Sequence, residues 1–343
     1  MTKRYLGNII TQNPTEPAGP YEDDAASGVW SLAEAFAYSK AGLWPTAGSV
    51  SPIGLFAGGT SAGTNRNTID EISIATLGNA TDFGDLTVTR YGLAGCSSSS
   101  RGVFGGGFDG SSRSNVLDYV TITSTGNATD FGDLSTVALN ASACSNNTRG
   151  IFANGNDGFE TNVINYITIA STGNALDFGD LLEAMQSMAG CASSTRGVFA
   201  GGDVSGSRRN TIQYITIAST GNATDFGDLT AARYSPAACS SSTRGLFAGG
   251  DTGGDPATTN AIDYITIAST GNASDFGDLT GNFYRQAGCS SEDRGVFGGG
   301  NSNSNVIQYV TIDTTGNAAD FGDLSVGREH LAGCSNAHGG LAA

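Results

Sequence analysis

One phrase in this chain carries the densest set of chemically useful side chains, and it occurs six times. STGNATDFGDL at Ser124–Leu134 has near copies at Thr76–Leu86, Ser171–Leu181, Ser219–Leu229, Ser269–Leu279 and Thr314–Leu324. Within it, Asn127, Asp130 and Asp133 offer hard oxygens at close spacing, the donor type that suits Ca²⁺. No EF-hand spacing accompanies them. A DFG triplet also belongs to kinase chemistry, but the Gly-rich loop, the lysine and the catalytic loop of that machinery are missing. Catalysis needs a motif once, so a phrase present in six copies reads first as building material. In that reading its Phe fills space between repeats and its Gly permits a turn. Its two Asp cap backbone N–H groups or pair with the recurring Arg101, Arg149, Arg196, Arg244 and Arg294.

Other catalytic constellations are absent from the sequence. It contains no GxxxxGK[ST] phosphate loop and no GxSxG elbow, and its two His leave no triad to assemble. No enzymatic activity is expected. No metal site or cofactor is expected either, with Ca²⁺ on the repeated acids as the alternative. Net charge is −16, which opposes binding to nucleic acid or an anionic membrane. The first residues lack the apolar stretch of a signal peptide, and no apolar run reaches membrane-spanning length. Synthesis in a cytoplasm is the resulting expectation.

The elements that position these residues follow from the period. Cys96, Cys144, Cys191, Cys239, Cys289 and Cys334 are spaced by 48, 47, 48, 50 and 45 residues, one per repeat. Disulfide pairing among equivalent positions is disfavoured, so the cysteines read as small buried residues of an inner strand. From Arg90 to Leu134 one repeat contains four short strand-like pieces. GLAGCSSS alternates small residues, RGVFGGG is an apolar run ending in glycines, and NVLDYVTI alternates β-branched residues. DFGDL closes the set. A period near 48 residues with four antiparallel strands predicts a β-propeller blade.

The repeat resembles kelch. The likeness lies in Gly-Gly after an apolar strand, at Gly58-Gly59, Gly106-Gly107, Gly201-Gly202, Gly249-Gly250 and Gly299-Gly300. The third repeat has Asn154 in place of the first glycine, and Phe of FGDL stands where kelch blades usually carry Trp. The resemblance spans residues 54–335 and implies an all-β, kelch-like propeller. The first repeat lacks a Cys strand and the last Cys strand lacks a blade. His330–Ser335 is therefore expected to complete blade 1 beside Gly54–Gly59, giving six blades. The tail NAHGGLAA leaves a partial seventh blade as an alternative.

Antiparallel blades put turns 1–2 and 3–4 on one face and loops 2–3 and 4–1 on the other. The first set is nearly constant across repeats and the second is diverse. Recognition normally lives on variable loops of a rigid scaffold. The candidate ligand-binding residues on the diverse face are Arg90, Tyr91, Arg208, Arg209, Arg233, Tyr234, Tyr284, Arg285, Arg328 and His330, since Tyr and Arg are favoured at hot spots.

Residues 1–48 do not repeat and stand apart from the propeller at 49–343. A short helix is expected from Ser31 to Ala41, with Ser31 and Glu34 forming a capping box. Trp30, Leu32, Phe36 and Trp44 are a heavy apolar load for so short a segment and are the expected partner-docking residues. SGVWSLAEAFAYSKAGLWP also resembles short segments near the start of tail-fibre-like structural proteins of tailed bacteriophages. That resemblance implies a virion protein whose N-terminal segment docks on other virion proteins while the propeller binds a host surface glycan or protein. The alternatives are a decoration or assembly-joint protein without receptor binding, and a cellular kelch-type protein-binding adaptor. A homo-oligomer is compatible with each. Nucleic acid and membrane insertion are not expected.

Overall fold

A computed structural model of the chain describes residues 4–6, 9–11, 51–254 and 257–341. Contacts divide it into two compact units, Met1–Ser51 and Pro52–Ala343. In the first unit, Arg4–Leu6 pairs antiparallel with Ile9–Thr11. The expected helix from Ser31 to Ala41 and the docking residues Trp30, Leu32, Phe36 and Trp44 lie outside the described residues.

The second unit is a six-bladed β-propeller with four antiparallel strands per blade. Blade 2 is representative, with strands Tyr91–Ser97, Arg101–Phe108, Val116–Thr121 and Thr129–Asp133 from the axis outward. Blade 1 is assembled from both ends of the unit. Ala332–Ser335 pairs with Ile53–Ala57, setting Leu55 opposite Cys334. The ring therefore closes without an open inner edge, which removes a template for edge-to-edge aggregation.

Apolar residues of each blade meet those of the next. Between blades 1 and 2, Leu55, Phe83 and Leu86 pack with Phe104, Val120 and Ile122. Five further clusters repeat the arrangement around the ring. Each such side chain contributes about 1.5–3 kcal/mol when fully buried. The third strand is half-buried as expected, though not in strict alternation: in Val116–Thr121, Leu117, Asp118 and Val120 are buried while Thr121 is exposed. A bulge in the third-to-fourth strand pairing shifts register between Leu117 and Asp118, leaving Phe131 unpaired and turned inward.

The repeated phrase latches each blade to its neighbour. Its first half, GNA, lies on the FGD half of the preceding copy. The N–H of Gly126 donates to the Phe83 carbonyl and that of Ala128 to the Asp85 carbonyl, both at 2.8 Å. Asn127 Oδ1 accepts the Asp85 N–H at 3.1 Å. The same Asn–Asp bond recurs at the other five boundaries, ending with Asn79 on Asp323. This differs from the alternative use of Asn127 as a Ca²⁺ ligand, because its side-chain oxygen accepts an N–H of the preceding blade. Among the described residues, no group of three or more His, Cys, Asp or Glu comes together.

The recurring arginines do not pair with the repeated Asp. Arg101 stacks over Tyr119 at 4.4 Å and donates through Nη1 to the Ile169 carbonyl of the next blade at 3.0 Å. Arg149, Arg196, Arg244 and Arg294 do the same with their own neighbours. Blade 1 has Ile53 and Glu71 at these two positions, so the Arg and the Tyr are lost together. A guanidinium stacked on a ring still has free donors, and the next blade's strand-end carbonyl takes one.

All six cysteines are free and buried. They sit in the innermost strands, each sulfur against the glycine of the next blade's second strand. A Cβ added at Gly150 would lie 2.6 Å from Cys96 Sγ. Burial pushes the Cys191 and Cys334 thiols up to about 12, which makes them inert.

The latch makes a sharp prediction at its glycine. Gly132 has φ +142°, and a Cβ there would lie 2.5 Å from the Gly173 carbonyl oxygen. Gly132→Ala is expected to cost about 2–3 kcal/mol in urea unfolding. Gly126→Ala is the control, because Gly126 also has positive φ but its Cβ would enter open space. It is expected to cost less than half as much.

Candidate functional site

The diverse loops do share a face. Loop 4–1 bridges loop 2–3 through Leu139 with Asn156, Gln186 with Asp203 and Tyr234 with Asp251. The propeller's first strand starts at the opposite, constant end, since Ile53 begins it where Arg101 begins the equivalent strand.

Three of the expected ligand-binding residues do not reach solvent. Arg90, Arg233 and Arg328 are each 0% exposed. Nη2 of Arg90 meets Asp118 at 2.8 Å, Nη2 of Arg233 meets Asp263 at 2.6 Å, and Nη1 of Arg328 meets Asp70 at 3.2 Å. Their place at a blade boundary follows from a constant demand. The third-strand residue here always accepts the N–H that follows FGDL. Asp118, Asp263 and Asp70 accept it from Thr87, Thr230 and Ser325. Asn165, Gln213 and Gln308 accept it from Ser135, Leu182 and Thr280. A buried carboxylate needs a counter-charge, whereas an amide does not. The facing positions obey that rule in all six blades: Arg90, Arg233 and Arg328 face Asp, while Ala138, Met185 and Phe283 face Asn or Gln. Burial lowers all three arginine pKa values and the paired Asp opposes the shift, so the guanidinium stays charged.

The remaining candidates lie at or near the mouth of the axial channel. Four of them form a chain of contacts. Arg208 stacks over Tyr234 at 5.2 Å, Tyr234 meets Tyr284 edge-on at 6.3 Å, and Arg285 stacks over Tyr284 at 4.6 Å. His330 packs against Tyr91 at 5.4 Å. Arg209 pairs with Glu183 at 2.8 Å and lines neither cavity described below.

Six residues, each four positions before a cysteine, encircle the mouth: Gly92, Asn140, Ser187, Ser235, Arg285 and His330. Their N–H and C=O groups form a closed ring of hydrogen bonds, Gly92 to His330 at 2.9 Å and so around to His330 on Arg285 at 3.0 Å. All six are left-handed, with φ between +51° and +68°. This conformation is free for glycine and costs of order 1–3 kcal/mol for a residue with a Cβ. Only blade 2 uses glycine. The reading of hot-spot residue types found Arg285 and His330 but missed Asn140, Ser187 and Ser235. The fixed offset from each cysteine was the signal that could have found them.

Two cavities open here. One of about 70 Å³ lies at the axis between Gly92, Asn140, Arg285, Gln286 and His330. Another of about 280 Å³ lies beside it between Asn140, Gln186, Ser187, Asp203, Arg208 and Tyr234. Asn140 Oδ1, Gln286 Oε1, Arg285 Nε and Arg208 Nε are buried atoms left without a protein partner. Such atoms await water or ligand.

The far end of the channel is occupied by the chain's own tail. It makes no seventh blade; Gly339–Leu341 is a single 3₁₀ turn. His338 lies within hydrogen-bond reach of Ser145 Oγ and the Ser97 carbonyl, both at 3.3 Å. Ser97, Ser145, Ser240, Ser290 and Ser335 donate through Oγ to the preceding inner strand's carbonyl, ringing the axis. A scan against known protein families matches none of them, and a search of characterised proteins returns no relative.

Two predictions follow from these placements. Arg90→Met alone is expected to cost about 3–5 kcal/mol, because it strands the buried Asp118 charge. Adding Asp118→Gln, which transplants the Met185–Gln213 pair, is expected to recover most of that loss in a double-mutant cycle. Acid is expected to weaken the fold through the two histidines. Burial lowers His338 from 6.5 to about 4 and, with Arg285 adding to the effect, His330 to about 3. The unfolded chain binds their protons near 6.5, so this stability is complete above 6.5 and is lost as pH falls towards 4 and then 3. Melting temperatures of His338→Gln and His330→Gln are expected to fall less over that window than those of the native chain.

Proposed function

We propose that this chain is a non-enzymatic recognition module that binds through the mouth of the diverse face. The observation that carries the reading is the ring of left-handed residues. If the mouth served the fold alone, glycine would do the same work in every blade at lower cost. Five blades instead hold Asn, Ser, Ser, Arg and His there. Backbone strain kept at equivalent positions, with side chains that differ, fits a surface whose side chains are needed for contact.

The setting of the module is read from the sequence. The Gly-Gly doublet and the aromatic third strand favour a kelch-like blade. The WSL…WP segment within residues 1–48 favours a phage virion protein of the tail-fibre or adhesin type, docked on other virion proteins by that segment. In this reading Trp30, Leu32, Phe36 and Trp44 make the docking contacts, and the mouth faces a host surface glycan or protein. Within the propeller, the first strand starts at the face opposite the mouth, which fits this reading.

Two measurements test this. Ser187→Gly and Ser235→Gly are expected to raise stability by roughly 0.5–1 kcal/mol while reducing the chain's ability to compete with particles for adsorption to cells. Stabilisation with undiminished competition would mean that the ring is not a contact surface. In a reconstruction of the particle, the mouth is expected to face solvent; a mouth buried against other subunits would favour an assembly joint instead.

A further inference from the structure

Within the recognition reading above, on which this inference rests, the geometry points to an uncharged saccharide as the ligand of the mouth. The first observation is electrostatic. The charged groups at the mouth are already paired with one another: Arg208 with Asp251 at 2.9 Å and Arg285 with Glu329 at 3.4 Å. The one carboxylate of the larger cavity, Asp203, accepts the Gly206 N–H at 3.0 Å. His330 is neutral at ordinary pH. A sulfated, phosphorylated or sialylated ligand would have to break an Arg–carboxylate pair to gain a counter-charge. A neutral ligand can use the outward donors and acceptors of the pairs as they stand.

The second observation is the kind of polar atoms left over. Around the two cavities, Asn140 Oδ1 and Gln286 Oε1 are unpartnered acceptors, while Arg208 Nε and Arg285 Nε are unpartnered donors. A ligand that answers both types at short intervals must donate and accept throughout, as a polyol does. The larger cavity, at about 280 Å³, is near the lower end of ordinary ligand pockets, which run roughly 300–1,000 Å³. It shares Asn140 and Ser187 with the axial cavity, so adjoining sugar rings could occupy both. Tyr234 also lines the larger cavity, the one aromatic side chain there for the C–H side of a pyranose to meet.

The third observation concerns peptides. Adding a peptide strand requires a free sheet edge, and gripping its side chains requires apolar pockets. The loop backbones at the mouth already bridge one another, at Gln186 with Asp203 and at Tyr234 with Asp251. The larger cavity is lined almost wholly by polar side chains.

The test uses the labelled full chain on a printed array of neutral oligosaccharides, their sialylated and sulfated counterparts, and unmodified peptides. Titration calorimetry on the strongest binder follows. Binding to neutral members is expected, with affinity changing less than about twofold between low and high salt, because an uncharged ligand releases no counterions. Asn140→Gly keeps the left-handed backbone and removes the side chain, and Tyr234→Ser removes the ring. Each is expected to weaken binding at least tenfold, while Arg101→Ala on the opposite face leaves it unchanged. Binding confined to anionic glycans or to peptides, strong salt dependence, or no binding on the array would each overturn the assignment. Coating of intact bacterial cells by the chain separates that failure from failure of recognition itself. Coating that these variants abolish, with no saccharide bound, leaves recognition standing and removes the saccharide. Coating that they leave intact removes both.

Discussion

The fold depends on one contact made six times: the GNA turn of one blade seated on the FGD strand of the blade before it. Each seat requires backbone to approach backbone, so glycine is fixed on the FGD side of it. Each also consumes the Asn side chain on a neighbouring N–H, so that residue is fixed as well. The phrase is constant because every copy is at once the surface docked upon and the surface that docks. A ring of such contacts is satisfied only when closed, and Ala332–Ser335 closes it by pairing with Ile53–Ala57. The lost conformational freedom of the intervening chain is offset by completing both the blade and its apolar boundary.

A second constraint operates beneath the diverse face. The N–H after each FGDL must be satisfied at a buried position, and the third-strand acceptor that does so is either a carboxylate or an amide. The choice dictates the residue opposite it. A carboxylate brings in a fully buried arginine; an amide allows Ala, Met or Phe. Arginines on loops that look ready to bind a ligand therefore serve the blade boundary. The same economy explains blade 1 at the constant face, where Ile53 and Glu71 replace the Arg–Tyr stack as a pair.

The two ends of the axis have different fates. At the constant end the chain's own tail inserts His338 among the serines of the inner strands. At the diverse end the inner strands begin in a ring of left-handed residues whose backbone groups satisfy one another. With the backbone closed in this way, any contact at the mouth must come from side chains. Those side chains differ from blade to blade although the backbone beneath them does not, and this combination underlies the reading as a recognition surface.

Blade number, strand order, the closing strand and the burial of the cysteines were legible in the sequence, because period and alternation are local and repeated six times. The division into a constant and a diverse face was legible for the same reason: antiparallel connectivity assigns each loop to an end. The fate of individual side chains was not. Arg90 and Arg285 stand on the same kind of loop two residues apart in register, at six and four positions before a cysteine. One is buried against Asp118 and the other lines the mouth. What separates them is the approach of a strand some 28 residues away in sequence, which supplies a buried carboxylate to the first and none to the second. Residue type and local pattern determined the scaffold and its faces. Only the tertiary structure decided which charges lie between blades and which remain at the mouth, because that depends on partners brought together by ring closure.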